Sequence, residues 1–351
     1  MSPQTTAKKL TLKDVARALK VSTATISNAF NRPDQLSAEL RRHILSECQR
    51  MGYHGPNATA RSLRTGRSGI VGIVLSDNLS YSVTDPVASE FLHGVAEVFD
   101  EQQTHMLLLS SAPHGSGYTQ LPDSMVDGFI VYGAPIQTTI LSRLLQQHKP
   151  IVTVDFNWQD FPAVNVTNQE GALDSARHAL RQRPQQVAVL GLRLVDTDRV
   201  CRVTQEELLD ASASVSIQRL RGYQQALAEV DVPLTTDWIW NIPSNSLKFA
   251  QQAAREALMS FPRPDLLLCM SDRIAQAAAQ CAQHLGLRVP EDVRIIGFDD
   301  IPEAQIMSPS LTTVHQQNVE KGRQAARLFL GLTNDTQVVI PTELVIRESC
   351  P

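Results

Sequence analysis

The chain has 351 residues and a mass of 38.7 kDa, more than one average domain holds, so two or three domains are expected. Hydrophobic residues make up 42% and charged residues 19%, which suits a globular chain with a sizeable core. No apolar run approaches the ~20 residues of a membrane span, and no apolar leader is expected. The five cysteines lack metal-type spacing, which favours a reducing cytoplasm over a disulfide framework or a zinc site.

The net charge of -4 conceals a strong asymmetry along the chain. Lys and Arg outnumber Asp and Glu by 12 to 4 in residues 1–67, whereas Asp and Glu outnumber Lys and Arg by 32 to 20 in the remainder. A basic head on an acidic body is typical of a nucleic-acid-binding module joined to another function. A solvated basic arm is the alternative, and charge alone does not separate the two.

Short helices are predicted in the basic head. Apolar residues recur at helical spacing in Leu12–Leu19, and Thr11 with Asp14 is a pattern typical of an N-cap followed by an acid in the first turn. Ser22 can cap a second short helix over Thr23–Phe30. Two short helices joined by a tight turn and braced by a third predict a helix-turn-helix, whose second helix enters the major groove of DNA. An ordinary helical hairpin is the alternative.

Mostly small polar side chains would face outwards from the second helix. Val21 and Ile26 would be buried and lock the helix pair, whereas the others have little reason to lie in a core. The outward set is Ser22, Thr23, Ala24, Thr25, Ser27 and Asn28.

From Gly69 onwards, short β-branched runs alternate with amphipathic helical stretches. This alternation predicts parallel sheets with helices on both faces, and its length predicts two similar lobes. The fold class is therefore a small all-α helix-turn-helix head plus an α/β body of two-lobed parallel sheets. The apolar runs are Ile70–Leu75, Met106–Leu109, Gly128–Tyr132, Ile151–Val154, Val187–Leu190, Leu266–Met270 and Val293–Phe298.

The head resembles that of the LacI/GalR (lactose/galactose repressor) family of bacterial transcriptional regulators, over residues 11–16 and 21–31. The resemblance implies that Thr23 and Ala24 read bases and that Asn28 stands where many relatives carry an arginine. Because Asn prefers the adenine edge and Arg the guanine edge, the operator is expected to differ there from the commonest sequence. The resemblance assigns contact with, or support at, the DNA backbone to Ser22, Thr25 and Ser27.

The linker resembles the family's hinge helix over residues 56–63. In relatives this segment folds when two copies meet in the minor groove of the operator, where a leucine wedges a base step open. The resemblance places Leu63 at the wedge and Ala60 one turn before it, with Arg61 and Arg64 suited to phosphates. An extra residue before the segment leaves the register open by one, and docking of Leu63 on the core is the alternative.

The body resembles the fold that this family shares with periplasmic binding proteins, in which the ligand lies in a cleft between two lobes. The strongest matches are Cys269–Ala275, Leu285–Val293 and Ile296–Pro302. With the head, the resemblance covers nearly the whole chain. The implied domains are a helix-turn-helix head (1–54), a hinge helix and linker (55–68), and an effector-binding and dimerisation domain (69–351).

Six polar residues are candidates for binding the effector. Asp272 directly follows an apolar strand, and the resemblance matches Arg219 to the family's ligand-clamping arginine. Such a set suits a polyhydroxylated ligand, for example a carbohydrate or a nucleoside, with ordinary strand-end capping as the alternative. The six are Ser76, Asp155, Arg219, Asn245, Asp272 and Gln316.

Three segments depart from the family or allow more than one interpretation. The segment 111–125 is rich in Pro and Gly, so a helix that relatives carry there is expected to be shortened or missing. Arg193–Ser216 is longer and more polar than usual and is expected to form a loop near the cleft mouth. Trp238 and Trp240 could stack on a sugar ring, although core packing is favoured.

No catalytic constellation is visible. Asp299 and Asp300 could be taken for a carboxylate pair, but adjacent strand residues point to opposite faces, so a structural loop role is favoured. No phosphate loop, nucleophilic serine elbow or histidine ligand spacing occurs in the sequence. Neither an enzyme nor a bound cofactor or metal is therefore expected.

The sequence predicts a cytoplasmic homodimer that represses transcription by binding a near-palindromic operator in double-stranded DNA. A small polar ligand between the lobes would switch operator affinity. The alternatives are a stand-alone periplasmic-type sugar-binding protein, which would have a leader peptide and no helix-turn-helix, and an α/β enzyme acting on sugars. No leucine heptad follows Arg347, so a tetramer-forming tail is not expected.

Overall fold

The computed structural model describes residues 10–55, 67–111, 125–135, 138–209 and 214–351. The chain divides into two compact units. The smaller unit holds the described residues up to Gly69 together with 125–127, and the larger unit holds the rest. The predicted hinge helix, with Ala60, Arg61, Leu63 and Arg64, lies outside the described residues, and so does most of the Pro- and Gly-rich segment 111–125.

The smaller unit contains the predicted helix-turn-helix. Its elements are α1 (Leu12–Ala18), α2 (Thr23–Asn31), a 3-10 turn (Pro33–Gln35) and α3 (Ala38–Arg50). The predicted cap of α1 is confirmed: the Thr11 hydroxyl accepts the backbone N–H of Asp14, whose carboxylate accepts the backbone N–H of Thr11. Such a reciprocal cap satisfies two N–H groups that the helix cannot. The core of this unit is formed by Val15, Ala16, Ile26, Ala29, Ile44, Cys48 and Tyr53.

The larger unit alternates strands and helices as predicted. Its helices are α4 (Leu79–Ser82), α5 (Pro86–Glu101), α6 (Thr138–Gln146), α7 (Asn168–Leu180), α8 (Gln205–Leu209), α9 (Val215–Ala228), α10 (Leu247–Leu258), α11 (Asp272–His284), α12 (Pro302–Ile306) and α13 (Asn318–Leu330), with a 3-10 turn at Thr236–Trp238. Its strands are β1 (Ile70–Leu75), β2 (His105–Ser110), β3 (Phe129–Tyr132), β4 (Ile151–Val154), β5 (Ala163–Val166), β6 (Val187–Leu192), β7 (Cys201–Arg202), β8 (Ile239–Ile242), β9 (Leu266–Cys269), β10 (Arg294–Ile296), β11 (Thr313–His315), β12 (Gln337–Ile340) and β13 (Glu343–Val345).

Two sheets define two lobes. The first sheet has the order β12-β5-β4-β3-β1-β2 and is parallel throughout. The second has the order β10-β9-β6-β8-β7, with only β7 antiparallel, and β11 pairs with β13 in a separate antiparallel ribbon. The central strands are continuous apolar runs because helices cover both faces of each sheet. The two-lobed parallel architecture is therefore confirmed.

The chain crosses between the lobes more than once. It leaves the first lobe between β5 and α7 and returns between β11 and α13, so that β12 joins the first sheet. Helix α13 packs closely on α5, since a Cβ atom added to Gly94 would lie 1.9 Å from the carbonyl oxygen of Val319. None of the helices in the described ranges is long and apolar enough to cross a membrane.

Candidate functional sites

The first turn of α2 presents an exposed polar surface. Thr23 and Ala24 are exposed, whereas Asn28 is half-buried. Ile26 is fully buried and fixes the helix on the head's core, and Val21, expected to be buried as well, is only half-buried at the edge of that core. The helix therefore offers small side chains at the end that a helix-turn-helix directs towards DNA bases.

Hydrogen bonds within α2 occupy three of the predicted DNA-contacting hydroxyls. The hydroxyl of Ser22 accepts the backbone N–H of Thr25 at 3.0 Å and lies 2.8 Å from the hydroxyl of that threonine. The Asn31 amide donates to the carbonyl oxygen of Ser27 at 2.9 Å and reaches the Ser27 hydroxyl at 3.5 Å. These residues stabilise the start and end of the helix, which suits the supporting role predicted for them.

A cavity of about 510 Å³ lies between the two lobes of the larger unit. The carboxyl ends of strands from both sheets form its walls, as is usual for ligand sites in open α/β sheets. Arg193–Ser216 was predicted to form a loop near the cleft mouth. Both ends of this segment line the cavity, and between them the chain forms β7 and α8. Five of the six predicted effector residues line the cavity: Ser76, Asp155, Arg219, Asn245 and Gln316.

Asp272, unlike the other five predicted effector residues, does not line the cavity. Its side chain is almost fully buried, and its two oxygens accept the backbone N–H of Ile301 at 2.9 Å and the hydroxyl of Thr313. Burial raises the pKa of Asp272 to about 7. This carboxylate therefore fastens the start of α11 to two other segments of the second lobe.

Asp299 lines the cavity, although the sequence favoured a structural loop role for it. Its Oδ1 accepts the Gln316 amide at 2.5 Å and lies 3.5 Å from Nη1 of Arg219. Burial raises the pKa of Asp299, and the neighbouring Arg219 opposes this rise. Asp300 points elsewhere and pairs with Arg347 at 2.7 Å, so the two adjacent carboxylates serve different sites as predicted.

Arg219 is held rigidly in the cavity wall. Its Nε donates to Asn168 Oδ1 at 3.0 Å, and its Nη1 donates to the carbonyl oxygen of Met270 at 2.5 Å. The guanidinium carbon lies 3.6 Å from the centre of the Phe298 ring, in a cation–π contact. These contacts fix a planar donor in one orientation, which is what bidentate recognition of a polar ligand requires.

Lys321 is a buried residue that was not predicted from the sequence to lie at the site. Its side chain is fully buried, and its ammonium donates to Asp155 Oδ2 at 3.0 Å and to Gln316 Oε1 at 3.3 Å. Its partners both line the cavity, so this lysine orients them. Helical spacing could have revealed it, since it lies on the same face of α13 as the buried Asn318 and Ala325.

Two ion pairs connect the lobes near the cavity. Arg193 of the second lobe pairs with Asp77 of the first at 2.5 Å. Arg273, in the first turn of α11, lies 3.8 Å from Asp85, whose other contacts include the hydroxyl of Tyr81 at 3.0 Å. Desolvation raises the pKa of Asp85, and the arginine opposes that shift.

The two tryptophans do not line the cavity. Trp240 is fully buried in the second lobe, with Arg202 over its ring at 4.9 Å, and Trp238 packs against the same core. Core packing is therefore confirmed and a stacking role is wrong. Among the described residues, no group of His, Cys, Asp and Glu has the geometry of a metal site.

Two family models match the chain. One, described as bacterial regulatory proteins of the lacI family, matches residues 11–57, and one described as a periplasmic binding protein-like domain matches residues 176–350. The HTH-type transcriptional regulator Rv3575c of Mycobacterium tuberculosis is 34% identical over 335 residues, which cover 94% of this chain and 92% of that relative.

Solved structures of similar fold cover nearly the whole chain. The lac repressor dimer bound to operator and an anti-inducer has a TM-score of 0.77 at 21% identity, over 98% of this chain and 99% of that one. The transcriptional regulator CelR in complex with cellobiose has a TM-score of 0.67 at 23% identity, over 97% and 99%.

A helix-turn-helix head and a two-lobed body with a polar cleft define a DNA-binding transcriptional regulator with a periplasmic-binding-protein-like domain. The chain belongs to the LacI family of bacterial regulatory proteins. This membership confirms the predicted family, fold class and regulatory function. It disfavours both alternatives, the stand-alone sugar-binding protein and the enzyme.

Proposed function

We propose that this protein is a cytoplasmic, homodimeric repressor whose affinity for a near-palindromic operator changes when a small polar ligand, sugar-like or nucleoside-like, enters the cleft. The observation that carries the proposal is the presence, on one chain, of an exposed recognition helix and a cavity lined by polar groups from two lobes. A ligand that binds one lobe arrangement better than another shifts the population of lobe arrangements, and operator affinity shifts with it.

Operator binding is tested by a gel-shift assay with the DNA upstream of the protein's own operon. We expect a shift at low salt and a steep loss of affinity as salt rises, because the basic head releases counterions from the phosphates. Absence of a shift at low salt would overturn the proposal.

Base reading by α2 is tested with Asn28→Arg. Asn prefers adenine and Arg prefers guanine in the major groove, so the variant should change the preferred base pair at one position of each half-site. We expect a change in discrimination of roughly tenfold, from about 1–3 kcal/mol per bidentate contact. Asn334→Arg adds the same charge at an exposed site of the body and serves as the control. An unchanged operator preference for Asn28→Arg would contradict this role.

The hinge is tested with Leu63→Ala. If Leu63 wedges a base step in the minor groove, the variant loses more affinity for the operator than for random DNA. Equal losses on both DNAs would contradict the wedge role and leave Leu63 as a packing residue of the linker.

Effector binding is tested by thermal-shift screening of carbohydrates and nucleosides. A ligand of the folded protein raises the melting temperature in proportion to the logarithm of its concentration above Kd. Arg219→Lys should lower the affinity for any such ligand, because lysine cannot reproduce the planar pair of donors of the guanidinium. Lys248→Arg, on the exposed face of α10, is the control.

A further inference from the structure

Each basic side chain around the cavity already has an acidic partner. Two of the four pairs cross between the lobes, one lies within the second lobe, and one lies beneath the wall of the first. In each pair a nitrogen lies within 4 Å of a carboxylate oxygen. The pairs are Arg193–Asp77 at 2.5 Å, Arg219–Asp299 at 3.5 Å, Arg273–Asp85 at 3.8 Å and Lys321–Asp155 at 3.0 Å.

Among the described residues that line the cavity, no basic side chain lacks an acidic partner. Arg193 and Arg219 are the basic residues among those that line the cavity in the described structure. Neither Lys nor Arg occurs in the sequence of the larger unit's remaining segments, which are 112–123, 136–137 and 210–213. A phosphate in the cavity would therefore lie among four carboxylates without an unpaired basic side chain to neutralise it.

Three helices begin at the cavity, and helix starts attract anions in general. The side chains that cap them are already in use. The carboxylate of Asp85 accepts the backbone N–H of Ala88 at the start of α5. The hydroxyl of Ser214 accepts the backbone N–H of Ile217 at the start of α9, and that of Ser271 accepts the N–H of Ile274 at the start of α11. None of these three helix starts has a free basic side chain among the residues that line the cavity.

One acceptor in the wall remains without a partner. Oδ1 of Asp155 is buried and has no hydrogen bond, whereas Oδ2 of the same side chain accepts the ammonium of Lys321. A ligand hydroxyl can donate to this oxygen without bringing a charge. Tyr132 and Phe156 line the same side of the cavity and offer apolar faces beside these polar groups.

We propose that the effector is an uncharged polyhydroxylated molecule and that the four ion pairs exclude phosphorylated sugars and nucleotides. This inference rests on one part of the proposed function, namely that the cavity is the effector site. It adds that the effector carries no net charge.

The first experiment compares matched probes by thermal shift on the full-length protein without DNA. The pairs are D-ribose with ribose 5-phosphate, D-glucose with glucose 6-phosphate, and adenosine with AMP, at constant ionic strength. Inorganic phosphate is compared with chloride. We expect no phosphorylated probe to stabilise the wild type beyond its neutral partner, and phosphate to act as chloride does. Greater stabilisation by a phosphorylated probe or by phosphate would overturn the proposal.

The second experiment removes one carboxylate so that a cation loses its partner. In Asp77→Asn, 10 mM phosphate should raise the melting temperature by about 3 °C over chloride, for a new site with a Kd on the order of 1 mM. Asp155→Asn, which releases Lys321, is the second variant and should gain a shift of the same sign. Asp292→Asn frees the exposed Arg288 away from the cavity and should gain none.

If neither cavity variant gains stabilisation by phosphate, ion pairing is not what excludes anions and the proposal is overturned. Loss of operator binding in a gel shift would instead overturn the proposed repressor function. That result would leave these thermal shifts unaffected, because they are measured in the absence of DNA.

Discussion

Lys321→Met removes a buried positive charge beside the cavity. The Lys321 ammonium is fully buried and contacts Asp155 and Gln316 at 3.0 and 3.3 Å. Methionine keeps an unbranched apolar stem of similar length, so the main change is electrostatic. The carboxylate of Asp155, whose side chain is only 14% exposed, is left without its counter-charge.

The expected loss follows from the burial of this pair. Removing one partner of a buried ion pair typically costs ~3–5 kcal/mol, because the other charge stays buried and uncompensated. Water in the cavity can reach part of Asp155, so we expect the lower end, about 3 kcal/mol of unfolding free energy. For a domain of this size that loss lowers the melting temperature by roughly 5–10 °C.

Urea unfolding followed by tryptophan fluorescence measures this loss, and a double-mutant cycle with Asp155→Asn isolates the pair. Asparagine suits the site because Asp155 has a φ of 64°, a left-handed conformation that Asn tolerates. We expect a coupling energy of about 2 kcal/mol between the two changes. Lys248→Met, at an exposed position on α10, should change stability by less than about 0.5 kcal/mol. A loss below about 1 kcal/mol for Lys321→Met, with no coupling, would refute the reasoning.

Three further predictions concern other parts of the molecule. Gly94→Ala should cost about 3 kcal/mol in urea unfolding, because its Cβ would lie 1.9 Å from the Val319 carbonyl oxygen and force α5 from α13; an unchanged midpoint would show that the helices adjust freely. Thr11→Ala removes the capping hydroxyl of α1 and should destabilise that helix by about 1 kcal/mol, measured by amide exchange within Leu12–Ala18; unchanged exchange there would contradict it. The Asp300 carboxylate, 3.1 Å away, raises the pKa of His315. This ion pair therefore stabilises the fold below the pKa of histidine in the unfolded chain, and the stabilisation is lost as pH rises through the pKa of His315 in the folded protein. His315→Gln should therefore lose more stability relative to wild type at pH 5.5 than at pH 8.5, and an equal loss at both would count against the pair.

The helices of the head and the strands of the body were predictable because their signals are local. The cap at Thr11 depends on a residue three positions away, and Ile70–Leu75 and Ile151–Val154 form strands with the bounds of their apolar runs. Arg193–Ser216 was less predictable: its polar composition indicated a loop, yet it contains β7, α8 and the first residues of α9.

The cavity was only partly predictable. Strand ends of a parallel α/β fold converge, and this rule correctly brought together Ser76 and Asp155. The rule does not predict the orientation of a side chain that follows the end of a strand. Asp272 and Asp299 both follow strands of the second lobe, yet only Asp299 faces the cavity.

The sequence by itself determined the order of elements, the charge asymmetry and the class of protein, because each follows from composition or from neighbours in the chain. The tertiary structure decided which charges meet. Lys321 and Asp155 are 166 positions apart, and Arg193 and Asp77 are 116 apart. The first pair forms because the crossing segments return α13 to the first lobe, and the second forms because they bring the two lobes together. Two charges attract each other strongly only at distances of a few ångströms.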